Sequence, residues 1–180
     1  GGKNLISLII GTFISIREIG IMDKIKLIVS DVDGVFTDGT KTYDKNGVCV
    51  AKNFCDRDFT AIQQFKHRDV LFCWLTGDRT INEAIAKDRG IDFFYWLYTD
   101  KLNGIIQILE HYNIKAKNTL YIGDDIFDIP PMKHVGYGAC PGDANQEITD
   151  STFCSMRLDN DGGHKAISEL YYWLLDGEYI

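Results

Sequence analysis

The sequence lacks the features that would make it a membrane-spanning, disulfide-framed or nucleic-acid-binding protein. No apolar window reaches the roughly 18 residues that a membrane span needs. The nearest, Leu5 to Ile16, is interrupted by Gly11, Thr12 and Ser15, and no small-residue cleavage site follows it. The five cysteines are odd in number and include no C-x-x-C pair, so they read as buried thiols in a reducing compartment, the cytoplasm. The four histidines show no metal-ligand spacing and read as surface or helix-end residues. There is no G-x-x-x-x-G-K-[ST] loop, which excludes a Walker-type NTPase. Basic residues are not in excess: the net charge is -7 and the pI about 5.0. Nucleic acid and membrane are therefore not expected as partners. A phosphorylated small molecule is still allowed, because a bound metal reverses the local field.

What is present suits one soluble domain with a good core: 180 residues, 45% hydrophobic and 25% charged. Met22 reads as a native start, which makes residues 22–180 a single domain and residues 1–21 a leader or an upstream extension. The stretch 25–39, IKLIVSDVDGVFTDG, organises the rest. Its apolar run Leu27-Ile28-Val29 is too unbroken to alternate faces and predicts a strand covered on both sides, as in a parallel sheet. Asp31, Asp33 and Gly34 follow directly, at the strand end where open α/β sheets bind ligands. Two acids at that place suit a divalent cation and its chemistry; taken alone they read equally well as an Asx-rich turn.

Further along, Lys41–Asp44 and Val48–Ala51 flank Lys45-Asn46-Gly47, a hairpin signal. Residues 56–68 carry apolar positions at helical spacing, with Asp56 or Asp58 near the start. A second strand is predicted over Val70–Leu75, followed by Thr76-Gly77-Asp78-Arg79, and a helix over 80–89 with Gly90 as its stop. A third strand over Phe93–Leu97 leads to a helix, capped by Thr99 or Asp100, that runs to about Tyr112. Thr119–Ile122 is a fourth strand and ends in Gly123-Asp124-Asp125. A short helix, a strand near Val135–Gly138, a small helix near 143–149 and a helix over 164–175 complete the chain. Strands alternating with helices predict an α/β fold, a Rossmann-like doubly wound parallel sheet with a β-hairpin flap.

Each of the first four strands delivers polar residues at or just past its carboxyl end: Asp31 and Asp33, then Thr76, then Lys101, then Asp124, Asp125 and Asp128. Together they supply acids for a cation, a hydroxyl and an ammonium for an anion, and a carboxylate free to attack. Phosphoryl transfer asks for that set.

The four segments resemble the haloacid dehalogenase superfamily of phosphatases. Its pattern, D-x-D-G-x-x-T, a Thr or Ser after the second strand, a later Lys and G-D-D-x-x-D, is matched by Asp31–Thr37, Thr76, Lys101 and Gly123–Asp128. The resemblance implies Asp31 as nucleophile, Asp33 as acid/base, and Gly34, Thr76, Gly77 and Lys101 around the phosphate. It implies Mg²⁺ held by Asp31, Asp33 (through its carbonyl) and Asp124, with Asp128 a supporting acid and Asp125 either ligand or support. Over about residues 24–175 the chain is also similar to the members that act on octulosonate 8-phosphate or on nonulosonate 9-phosphates, in the hairpin, Arg57-Asp58, T-D-K at 99–101, G-D-D-x-x-D-x-P and Gly162-Gly163. That likeness implies no separate cap domain, a homotetramer in which hairpins meet, substrate-binding roles for Arg57 and Asp78, and a place in lipopolysaccharide biosynthesis.

Some positions depart from the pattern. Asp78 stands where the octulosonate enzymes carry Arg; an acid there looks like the nine-carbon relatives, in which it pairs with a base on the next helix, here Arg89. Lys165 and Ser168 replace the Gly and Arg of the usual G-G-x-G-A-x-R tail. The expectation is a Mg²⁺-dependent phosphatase of a keto-sugar acid, of eight-carbon or alternatively nine-carbon type. The readings from other classes are a phospho-receiver, whose acid doublet would come first, and a non-catalytic oligomerisation module, which would lack the nucleophile or the acid/base.

Overall fold

The computed structural model describes residues 24–180, so the leader or extension expected at 1–21 lies outside the described residues. In chain order the elements are β1 (Leu27–Ser30), β2 (Thr42–Tyr43), β3 (Cys49–Ala51), α1 (Asp56–Lys66), β4 (Leu71–Thr76), α2 (Asn82–Arg89) and β5 (Asp92–Tyr95). They continue with α3 (Lys101–Tyr112), β6 (Thr119–Ile122), α4 (Ile129–His134), β7 (Tyr137–Cys140), α5 (Gln146–Thr149), β8 (Met156–Arg157) and α6 (Ala166–Asp176). Six strands form one parallel sheet in the order β5-β4-β1-β6-β7-β8.

β1 is buried at all four positions because it is covered on both faces. Ile28 joins Phe72, Trp74, Leu120 and Ile122 in a core closed by residues of α1, α2 and α6, among them Phe59, Ile62, Ala86 and Leu170. Leu27 and Val29 join Cys73, Leu75 and Tyr121 under Ile105, Ile108, Met132 and Ile148 of α3, α4 and α5. Each fully buried Leu or Ile contributes about 1.5–3 kcal/mol, so a single polar substitution in this strand would undermine both layers. The register sets Ser30 beside Trp74 and Ile122, which brings the strand ends out along one edge. The chain winds outward from β1 through β4 to β5, then returns to β6 on the other side. The crevice at that reversal is where such sheets bind ligands.

Between β1 and β4 stand only the hairpin and α1, so among the described residues no cap domain is inserted there. The hairpin β2–β3 is a separate two-stranded sheet. Its turn is set by Gly47 in the left-handed region and by Asp44, whose carboxylate accepts from Asn46 N and Val48 N. An isolated two-stranded hairpin is marginal in water, so its seating depends on other contacts.

Several elements differ from the expectations. β8 was not anticipated: two residues are too few to carry a periodic signal. Cys55 occupies the N-cap of α1, and Asp58 turns inward, where its fully buried carboxylate accepts from Ser168 N at 2.9 Å and ties α1 to α6. Burial pushes the Asp58 carboxyl up, partly offset by backbone N–H groups at the start of α6. Lys165 adopts φ +75°, where Gly is favoured; this gives a physical reason for a glycine in the family's tail. The two ends of the described chain meet, with Ile25 N donating to Tyr179 O at 2.9 Å and Lys24 Nζ to Glu178 O at 2.6 Å. Among the described residues no helix is long and apolar enough to cross a membrane.

Candidate active site

A cavity of about 490 Å³ opens at the carboxyl edge of the sheet. Asp31, Asp33, Thr76, Gly77, Asp78, Lys101, Asp124, Asp125 and Asp128 all line it, together with Gly39, Lys41, Tyr98 and Phe127. The sheet alone accounts for much of this convergence. Asp31 follows β1, Thr76 ends β4, and Asp124 follows Gly123 at the end of β6. Lys101 opens α3, on a side of the sheet where its stem is buried.

The deepest part is a chain of charges. Lys101 Nζ lies 2.8 Å from Asp31 Oδ2 and 2.6 Å from Asp128 Oδ1. Asp128 is fully buried and saturated: Oδ1 also accepts from Tyr121 OH at 2.7 Å, and Oδ2 from the backbone N of Asp124 and Asp125 at 3.1 and 3.2 Å. Burial alone would lower the Lys101 pKa, but the carboxylates of Asp128 and Asp31 more than offset it and hold the ammonium charged. Burial pushes Asp31 up to about 7 even with Lys101 drawing it down. Burial, with Asp31 and Asp128 nearby, pushes Asp124 up to about 8.

That crowding of acids is what a cation would relieve. One carboxylate oxygen each from Asp31, Asp124 and Asp128 lie within 4.8 Å of one another. Asp128 is committed to Lys101 and Tyr121, whereas Asp124 Oδ1 is buried without a hydrogen-bond partner among the described residues. Hard oxygen donors of this kind suit Mg²⁺ or a similar divalent ion. Gly34 belongs to the same cradle. It has φ +84°, and a Cβ there would stand 1.9 Å from Asp124 Oδ2. Gly162 packs as tightly from behind, where a Cβ would stand 2.0 Å from Gly34 O. Asp125 is exposed, its Oδ1 accepts from Ile126 N to cap a single 3₁₀ turn, and it stands outside the group of converging carboxylates.

The shallower part is built around Asp33 and Asp78. Lys52 Nζ lies 2.7 Å from Asp33 Oδ1 and 3.0 Å from Asp78 Oδ2; Lys41 Nζ lies 2.7 Å from Asp78 Oδ2 and 3.9 Å from Asp33 Oδ2. Asp78 Oδ1 accepts from Thr80 N and Oγ1. Burial would raise the Asp78 pKa, but the bonds from Lys41, Thr80 and Lys52 overcome it and hold the carboxyl well below its usual range. The expected pairing of Asp78 with Arg89 is therefore corrected. Arg89 stands at the far end of α2, roughly 10 Å along the axis at 1.5 Å per residue, and it pairs with Asp56 at 3.1 Å and covers the Phe59 ring. Arg57 is exposed on α1 and does not line the cavity.

Sequence reasoning missed Lys41, Lys52, Asn82, Tyr98, Phe127 and Tyr121. The two lysines bracket the hairpin at its open end, which is the one signal that could have drawn attention to them. Tyr121 sits inside an apolar strand, and its hydroxyl is invisible to periodicity. Tyr98 and Phe127 form an edge-to-face pair at 4.9 Å on the cavity wall, brought together from segments 29 residues apart.

A family model for haloacid dehalogenase-like hydrolases matches residues 81–164. The 3-deoxy-D-manno-octulosonate 8-phosphate phosphatase KdsC of Haemophilus influenzae is 30% identical over 158 residues, 87% of this chain and 86% of that protein. The cobalt-bound structure of the Haemophilus influenzae enzyme superposes with a TM-score of 0.80 at 30% identity, covering 87% of this chain and 91% of that one. The Moraxella catarrhalis phosphatase, solved with magnesium, phosphate and KDO, shares the fold at 24% identity and a TM-score of 0.77, over 86% and 88% of the two chains. The chain belongs to the haloacid dehalogenase-like hydrolases.

Proposed function

We propose that the protein hydrolyses the phosphomonoester of a keto-sugar acid, of the 3-deoxy-D-manno-octulosonate 8-phosphate type, through an aspartyl-phosphate. The observation that carries this reading is the convergence of Asp31, Lys101, Asp124 and Asp128 on one point of the cavity. Asp31, with one oxygen fixed by Val32 N at 2.8 Å, attacks phosphorus. As its carboxylate oxygen bonds to phosphorus, the ester oxygen leaves with a proton from Asp33. A water then attacks the same phosphorus, gives its proton to Asp33, and frees phosphate and the Asp31 carboxylate. Thr76, whose Oγ accepts from Asp78 N at 3.2 Å and keeps its own O–H to donate, holds a phosphoryl oxygen with Lys101. Mg²⁺, held by Asp31, Asp124 and the Asp33 carbonyl, supplies positive charge beside the phosphoryl oxygens; the cobalt bound by a 30% identical relative supports a divalent ion here.

For the acid group of the substrate, Lys41 and Lys101 are the cations that line the cavity, and Lys101 is already enclosed by two carboxylates. Lys41 also pairs with Asp78 at 2.7 Å, but its side chain is 25% exposed against 4% for Lys101, so it is the one open to a substrate carboxylate. The nine-carbon alternative is favoured by one observation, the acid at position 78. Asp78, however, is engaged by two lysines and Thr80, so it reaches substrate only through Lys41.

The hairpin exposes Tyr43, Val48 and Val50, each more than half exposed. This supports a homotetramer in which hairpins meet. The free thiols of the described residues support a reducing location, the cytoplasm. The test is Asp31→Asn. Turnover of the sugar-acid phosphate should fall on the order of 10⁴-fold or more, with circular dichroism unchanged. Near-normal turnover would remove Asp31 as nucleophile.

A further inference from the structure

The reaction above gives Lys52 no part, yet its side chain is fully buried beside the cavity. It follows β3 directly, so the hairpin carries it. Its ammonium donates to Asp78 Oδ2 at 3.0 Å and to Asn82 Oδ1 at 3.0 Å, and it forms an ion pair with Asp33 Oδ1 at 2.7 Å, an oxygen that has no hydrogen-bond partner among the described residues. Asn82, fully buried at the start of α2, closes the ring from the other side. Its Nδ2 donates to Asp33 Oδ2 at 3.1 Å and to Asp78 O at 3.1 Å. Both oxygens of Asp33 are thus held, one by the hairpin and one by α2, although Asp33 itself sits on the turn after β1.

A proton-transfer group must lie within about 2.6–3.2 Å of its target. The Asp33 side chain is 20% exposed, so packing alone does not fix its direction. An ammonium enclosed away from water persists only where carboxylates repay its desolvation, and here those carboxylates are Asp33 and Asp78.

We infer that Lys52, seconded by Asn82, is a positioning residue for Asp33, and that it makes proton transfer depend on how the hairpin is seated. The inference rests on the acid/base reading of Asp33. It assigns Asp78 a role at one remove, as the carboxylate that keeps Lys52 in place.

The experiment compares Lys52→Met, Lys52→Arg and Asn82→Ala on two phosphomonoesters. One is a sugar phosphate, whose alkoxide must take a proton to leave. The other is p-nitrophenyl phosphate, whose phenolate leaves without one. Lys52→Met should lower kcat on the sugar phosphate by about 10- to 100-fold, within what a positioned acid contributes, and by several-fold less on the aryl ester. KM should change little on either, and Lys52→Arg should recover part of the loss. In an Asp33→Asn background Lys52→Met should add nothing further. Asn82→Ala should show the same leaving-group dependence more weakly, and it carries the test if Lys52→Met does not fold. Equal losses on the two esters, or a full Lys52→Met loss on top of Asp33→Asn, would overturn the inference. Failure of the phosphatase reading itself would look different: the unmodified protein would turn over neither ester.

Discussion

The two ends of the cavity are built from different material. The deep end is carried by the sheet: Asp31 after β1, Asp124 after β6, and Lys101 and Asp128 on helical turns packed beneath. Its groups are buried, and backbone hydrogen bonds of the parallel ladder fix their spacing. The shallow end is carried by a two-stranded hairpin outside that sheet, joined to the body through Lys41, Lys52, Asp33 and Asp78. The difference teaches that the groups that meet phosphorus and metal are fixed by the sheet, whereas the proton-transfer group Asp33 and the selection of substrate share the hairpin-held end. The deep end should tolerate little, whereas the shallow end, held by side-chain pairs alone, can change partners.

The largest effect should follow from Lys101→Met at the deep end. It leaves Asp31 and Asp128 without their shared cation. Breaking a buried pair from one side costs about 3–5 kcal/mol, so urea unfolding should show a loss of that order together with loss of turnover. A stability change under about 1 kcal/mol would mean that the deep end is less tightly built than its distances imply.

Metal removal should come next. In the folded protein Asp31 is raised to about 7 and Asp124 to about 8, both above the 3.8 of a free aspartate. The folded state therefore holds protons that the unfolded chain has released, and the metal-free fold loses stability as pH rises from about 4 through 8. A cation that replaces those protons should reverse the trend. Mg²⁺ should raise Tm more at pH 8.5 than at pH 5.5, read by scanning fluorimetry with and without EDTA. An equal gain at both would place the ion elsewhere.

The smallest effect should come from Lys41, at the mouth of the shallow end. Lys41→Met should lower kcat/KM about tenfold on an acid-bearing sugar phosphate, the size of one charge-assisted hydrogen bond. Turnover of a sugar phosphate without a carboxylate should stay within about twofold. A parallel loss on both substrates would join the two ends into one unit.

The same division explains what was legible in the sequence. β1 and β6 could be read because an unbroken apolar run ending in acids is a local pattern, and the acids stand within two or three residues of it. The carboxyl-edge residues then follow from topology. Lys52 and Asn82 could not be read that way. They are 30 positions apart, and only the seating of the hairpin on α2 makes them neighbours. The pairing of Asp78 with Arg89 follows from a family spacing of eleven residues, but the length of α2 separates Asp78, in the turn before the helix, from Arg89 at its far end. Asp58 stands in the first turn of α1, as expected, but its use as a buried anchor for α6 was not legible, since that depends on a segment 110 residues later.

The joined ends of the described chain have a practical consequence. Ile25 and Tyr179 are bonded at the foot of β1, opposite the edge where the strands deliver Asp31 and Asp124. In a version trimmed to residues 24–180, a short linker across that seam would close the chain into a ring on the side away from the pocket, so the cut could be moved to another loop. Anchored to a surface by this seam, the molecule would present its catalytic mouth outward to solution.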